Sequence, residues 1–174
     1  MVNPALLREL FVPSGNLFVI LAGAAIPGLL DKLHQETLES VCLYRGELPP
    51  DQVETAPYLV RLERDSRFTQ WLLDQGWGKQ WGIFARVGDQ FDLKQVRHHF
   101  RGFLMVEFPD GKSRHLRYYD PRVLRAYLPT CNVAETQTVF GPVMAYIVED
   151  QVDNRAIRFT VNKGLPYGET IRLD

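Results

Sequence analysis

The five residues Leu17-Phe18-Val19-Ile20-Leu21 are apolar without a break. A strand with one wet face alternates apolar and polar side chains. An unbroken run rich in Phe, Val and Ile is the pattern of a strand buried on both faces. It predicts an interior strand of a sheet with helices packed on it. The next segment, GAAIPGLLDKLHQ, carries Leu29, Leu30 and Leu33 at helical spacing, so the chain opens as strand, turn and helix. Gly23 and Gly28 are spaced like the glycines of a phosphate-binding loop. Leu29 and Leu30 stand where that loop needs Lys and Ser or Thr, so a tight turn is the better reading.

Further along, Ser40–Gly46 is predicted as a second strand and Ala56–Glu63 as a third, with Tyr58, Val60 and Leu62 on one face. A single helical turn is expected after Asp51. Asp65 or Ser66 then caps a helix with Phe68, Trp71 and Leu72 on one side, and Gly76 ends it. Gln80–Val87 is a fourth strand, and a helix follows over about residues 93–102 with Val96 and Phe100 inward. FLMVEFPDGKSRHLRYY reads as a hairpin about Pro109-Asp110-Gly111-Lys112, with Leu104, Val106 and Phe108 on one face and Leu116 and Tyr118 on a face of the return strand. Asn132 and Glu135 form a capping pair for a short helix with Val133 and Phe140 inward, ended by Gly141-Pro142. Val143–Glu149 is the last well-marked strand. AIRFTVN reads as an edge strand and KGLPYGETIRLD as a tail. The sum is a mixed α+β (α/β) fold: one mixed sheet, helices packed on it, and a late hairpin. Its organisation is a lead-in over residues 1–16, a domain over 17–150, and an edge strand or tail over 151–174.

The stretch LRYYDPRVLRAYLPT, residues 116–130, is dense in Tyr, Arg and Asp. Asp120 before Pro121 is an N-cap followed by proline at the first helical position, and Val123, Leu124, Tyr127 and Leu128 share a helix face. Pro129 stops that helix. Punctuation thus accounts for Asp120, Pro121 and Pro129, but not for Arg117, Tyr118, Tyr119 and Arg122. In GWGKQWG, residues 76–82, Trp81 falls on the strand and is expected in the core. Trp77, in the turn, is harder to bury. Exposed Trp, Tyr and Arg are the residue types that dominate protein interfaces.

Composition narrows the functional classes. The 174 residues contain 20 Lys and Arg against 21 Asp and Glu, a net charge of -1, which gives no general attraction for nucleic acid or an anionic membrane. The clusters Arg97, His98, His99, Arg101 and Lys112, Arg114, His115, Arg117 are read as solvated faces. So is the acidic group Glu149, Asp150 and Asp153. Two cysteines, Cys42 and Cys131, stand alone, as expected in a reducing compartment. Leu17–Leu30 is too short and too broken by Gly and Pro to span a bilayer, and Glu9 breaks a signal-peptide pattern, so a cytoplasmic location is expected. No metal-ligand spacing, nucleophile elbow or dinucleotide fingerprint occurs. The adjacent His98 and His99 point about 100° apart on a helix and do not share a ligand easily.

Taken together, APYLVRL (residues 56–62), GWGKQWGIF (76–84), HHFRGFLMVEFPDG (98–111), RYYDPRVLRAYLPT (117–130) and FGPVMAYIVED (140–150) occur in an order and spacing that resemble a bacterial family. That family is the domain of unknown function 4123, whose members are read as adaptor chaperones of type VI secretion. The resemblance implies an α/β domain in the bacterial cytoplasm, without cofactor or catalytic residues. Its partners would be a toxic effector and the VgrG spike protein onto which the effector is loaded. Trp77, Arg117, Tyr118, Tyr119 and Arg122 are then the candidate partner-binding residues. The alternative is a small hydrolase or transferase using Asp120, Arg122 and a histidine.

Overall fold

In the computed structural model, which describes residues 1–36 and 38–174, Leu17–Leu21 lies at the centre of the molecule. The chain runs α1 (Pro4–Leu10), β1 (Asn16–Ala22), α2 (Leu29–Gln35), β2 (Ser40–Cys42), α3 (Pro50–Thr55), β3 (Pro57–Leu62), α4 (Arg67–Gly76) and β4 (Gly82–Val87). It continues through α5 (Leu93–Arg101), β5 (Met105–Glu107), β6 (Ser113–His115), α6 (Pro121–Tyr127), α7 (Val133–Phe140), β7 (Val143–Glu149), β8 (Arg155–Asn162) and β9 (Leu165–Arg172). Seven strands form one sheet in the order β2-β3-β1-β4-β7-β8-β9.

The two parities of β1 feed two cores. Leu17, Val19 and Leu21 pack under Leu6 and Leu10 of α1, Leu29 and Leu33 of α2, and Phe68, Leu72 and Leu73 of α4. Phe18 and Ile20 pack under Val96 and Phe100 of α5, Leu124 of α6, and Val139 and Phe140 of α7. Helices on both sheet faces are why the run has no polar residue: there is no wet side for one to occupy.

The α+β class is the one predicted, and the sheet corrects it in one detail. The expected mixed sheet is antiparallel in every pairing among the described residues. β3, α4 and β4 do form a parallel crossover, as the alternation of strand and helix suggests. β1, however, lies between β3 and β4 and pairs antiparallel with each.

Other corrections follow from local contacts. The lead-in contains α1, capped by Asn3, whose Oδ1 accepts from the amides of Ala5 and Leu6. Glu9 of α1 is bridged to Arg158 of β8 at 3.0 Å and accepts Arg86 of β4 through its carbonyl, tying the helix to the sheet. The strand expected over residues 40–46 ends at Cys42, because the Arg101 side chain donates to the carbonyls of Cys42, Leu43 and Tyr44 and stands in for a ladder partner. The hairpin β5–β6 forms a separate two-stranded sheet, with three residues in each strand. The predicted tail is β9. It closes a hairpin with β8 through Lys163 and Gly164, both at positive φ, so β8 is interior and β9 is the edge. Pro129 lies inside a 3-10 turn, Leu128–Thr130, that extends α6.

Candidate partner-binding surface

Asp120 is the N-cap of α6. Its Oδ1 accepts from the Arg122 amide at 2.9 Å and from Arg122 Nε at 3.0 Å, and its Oδ2 accepts from Arg122 Nη2 at 2.7 Å. Burial alone would raise the Asp120 carboxyl, but the bonds from Arg122 hold it below the ordinary range. The cap and the ion pair are thus one unit. The Arg122 side chain remains 68% exposed, with its other donors toward solvent. Arg117 is also exposed, and its charge reaches Asp120 on one side and His115 on the other.

The tyrosines between these arginines are not on the surface. Tyr118 is 0% exposed and Tyr119 is 3% exposed, so neither is a contact residue for a partner. The Tyr118 hydroxyl donates to the carbonyl of Phe100 at 2.6 Å, and its ring lies against Phe103, with centroids 4.3 Å apart. That internal acceptor is what lets a polar tip be buried. Tyr119 meets Tyr118 edge-on and packs beside His115.

Trp77 is half-buried on the opposite face of the sheet, against Phe84. Trp81 is half-buried too, short of the core position expected, and meets Trp71 with centroids 5.4 Å apart. Added atoms at Gly76 would strike the Trp81 ring at 2.5 Å, which explains the glycine at the end of α4. The turn between α4 and β4 is held by Glu149, which the sequence placed in a solvated acidic group. It is 4% exposed. Its Oε2 accepts from the Gln80 amide at 3.0 Å and from Gln80 Nε2 at 2.8 Å. Arg125 of α6 donates to the Glu149 carbonyl and to Gln80 Oε1. Burial pushes the Glu149 carboxyl up to about 7, against the lowering effect of the Gln80 and Gly78 amides and Arg125.

The outer side of α6 carries the main surface feature. A groove of about 460 Å³ opens between the hairpin β5–β6 and α7, lined by Met105, Val106, Phe108, Tyr127 and Thr138. Tyr127 also lines the next hollow, with Leu116, Val123 and Arg122. Arg122 and Ala126 line a third, which ends at Gln80 and Gln151. Neighbouring hollows share lining residues, Tyr127 between the first two and Arg122 and Ala126 between the last two, so they follow one another along α6 as a trough with Arg122 on its wall. Met105 is 55% exposed and Phe108 is 40% exposed, with the Arg114 guanidinium 4.4 Å from the Phe108 ring centre. Val133, expected inward, is 48% exposed at the start of α7, where it meets the β8–β9 turn at Gly164. Val139 takes the inward place beside Phe140. No periodicity marks this trough, because the hairpin, α6 and α7 contribute to it from separate stretches.

The alternative enzymatic reading names Asp120, Arg122 and a histidine. Both Asp120 oxygens are taken by Arg122. His99 bonds through Nε2 to the Val139 carbonyl at 3.0 Å, and burial lowers it to about 4, so it is neutral packing rather than a solvated charge. His115 stacks edge-on with Tyr44. Among the described residues, no three His, Cys, Asp or Glu side chains converge on a point that could hold a metal. No helix among them is long and apolar enough to cross a membrane.

No curated protein and no solved structure matches this chain. The model of one family, described as a domain of unknown function (DUF4123), matches residues 17–138. That match begins at the central strand and runs into α7, so it takes in the hairpin, α6 and most of the trough, and the chain belongs to the DUF4123 family.

Proposed function

We propose that this protein is a non-catalytic adaptor chaperone that holds a toxic effector and helps load it onto the VgrG spike of a type VI secretion system. What supports the reading is membership of the family, whose resemblance carries this role, together with one observation. The hollows along α6 bring exposed Met105, Phe108 and Arg122 and half-buried Tyr127 onto one surface. Aromatic residues, Met and Arg are enriched where proteins bury surface against one another. The trough is open and elongated, a shape suited to a polypeptide segment. The cytoplasm is the compartment in which such loading takes place. Arg122 is the contact residue in this reading, exposed Arg117 acts on the same Asp120 cap, and Trp77 belongs to a separate surface on the other sheet face.

Co-expression with a type VI effector and a VgrG protein of the same organism, followed by affinity capture of this chain, tests the proposal. Recovery of both proteins is expected. Recovery of neither, or a turnover of nucleotide, ester, peptide or glycan that a single substitution at Asp120, His98 or His115 abolishes, would overturn it.

A further inference from the structure

The groove between the hairpin and α7 has a strand edge for one wall. The Leu116 amide donates to the Leu104 carbonyl at 2.7 Å, and the Phe108 amide donates to the Lys112 carbonyl at 3.0 Å. Leu104 and Phe108 are thus bonded positions of the hairpin, and so is Val106 between them, opposite Arg114. Bonding alternates along an antiparallel pair, so the amides and carbonyls of Met105 and Glu107 turn away from β6. β5 pairs only with β6, and no other backbone group meets these amides and carbonyls among the described residues. They turn toward the groove, because Met105, Val106 and Glu107 line it and no residue of β6 does. The stretch FLMVEF, residues 103–108, has no proline or glycine to interrupt a further pairing.

A strand edge beside a groove takes an extended segment, whose backbone continues the ladder and whose alternate side chains fill the groove. The side chains around this edge select the segment. Leu104 is buried and Val106 half-buried, so that face of β5 is the inner one. Inward side chains of an added strand would meet half-buried Tyr127 and buried Val139, which line the groove, and these call for apolar residues. Met105 and Glu107 point the other way and are exposed. The charged residues lining the groove are Glu107 and Glu135, and neither is in an ion pair among the described residues. Outward side chains beside them are therefore best cationic. A second copy of β5 does not fit, since it would bring glutamates together. We infer that the open edge of β5 takes an extended segment of a partner protein as a third strand of the hairpin, one in which apolar residues alternate with lysine or arginine. This rests on the reading of the trough as the partner-binding surface and says how its first hollow binds.

Fluorescence anisotropy of a labelled peptide, TVKVKVT, titrated with the purified chain up to several hundred micromolar, tests the inference. Saturable binding is expected, and the peptide TVEVEVT should bind at least about tenfold more weakly. Glu107→Ala and Glu107→Pro both remove the carboxylate, but only proline removes the outward amide, which the hairpin does not use. The proline variant should bind TVKVKVT about tenfold more weakly than the alanine variant, with circular dichroism unchanged. Hydrogen exchange reads the same contact in the unsubstituted chain: saturating TVKVKVT should slow the amides of Met105 and Glu107 and leave those of Gly168 and Thr170 on the β9 edge as they were. A wild-type chain that does not bind TVKVKVT, equal binding of the two peptides, equal binding by the two variants, or unchanged exchange at Met105 and Glu107 would each overturn it. Capture of the effector and VgrG reports separately on the adaptor reading. A chain that captures both and fails here loses only the added strand, and one that binds the peptide as described and captures neither loses only the adaptor role.

Discussion

Glu149 carries a carboxylate where the fold gives it little water, and its pH dependence has a definite sign. Its folded value of about 7 lies above the ordinary 4.5, so the folded state favours the proton. The stability this group contributes is fully present below pH 4.5 and is lost as the pH rises through about 7. A shift of that size corresponds to on the order of 3 kcal/mol. Glu149→Gln keeps an acceptor for the Gln80 amide and removes the charge. It should raise the melting temperature by several degrees at about pH 8 and leave it unchanged in acid. Thermal unfolding of both proteins across pH checks this; parallel profiles would contradict it. Asp120 has the opposite sign. Its carboxyl is depressed, so its contribution is present above the ordinary carboxylate value and lost as the pH falls through the folded one. Asp120→Ala removes an N-cap and should cost about 1 kcal/mol, or about 2–4 °C in melting temperature for a chain of this size. It also releases Arg122 from its partner, so any effect on binding must be compared with Arg122→Ala, which loses the ion pair but keeps the cap and should lower the melting temperature by less than Asp120→Ala does.

At the scale of elements, the hairpin β5–β6 is the least anchored part of the trough. Its strands have three residues each, and Glu107, Ser113, Arg114 and His115 are exposed. Hydrogen exchange should therefore find the amides of β5 and β6 opening far faster than those of β1, which is covered on both faces. Equal protection in the two would show that the hairpin is held by contacts not described above. The elements also show what the sequence can carry. Central strands and capped helices were legible because burial on both faces and the Ser66, Asp120 and Asn132 caps leave local signatures. β9 was not, because an edge strand with mostly exposed side chains has no apolar alternation, and its turn uses Lys at a position that normally signals itself with Asn or Asp. α1 was missed although Asn3-Pro4 precedes Leu6 and Leu10, since seven residues give barely two turns of periodicity. The candidate site was legible only in part. Arg122 and the α6 cap could be read locally. The burial of Tyr118 could not, because its acceptor is the carbonyl of Phe100, supplied by another helix. Glu149 was misplaced for the same reason: Gln80 and Arg125 reach it only through the fold.

For the whole molecule, the sheet and its two helical layers form a rigid support, and the trough along α6 is the surface it presents. The account's central claim is that partners bind there and that binding is the function. Calorimetric titration of the co-expressed effector and of VgrG against the purified chain measures this directly, using the wild type, Arg122→Glu and Phe108→Asp. Both side chains are exposed; Phe108→Asp should leave the melting temperature close to that of the wild type, and Arg122→Glu, which loses the bonds to Asp120, should lower it by no more than the few degrees that loss of the cap would cost. The account predicts that the wild type binds and that each substitution weakens at least one of the two complexes by about tenfold or more, as loss of an interface anchor does. Wild-type affinity retained for both partners by both variants, or no binding by the wild type, would contradict it.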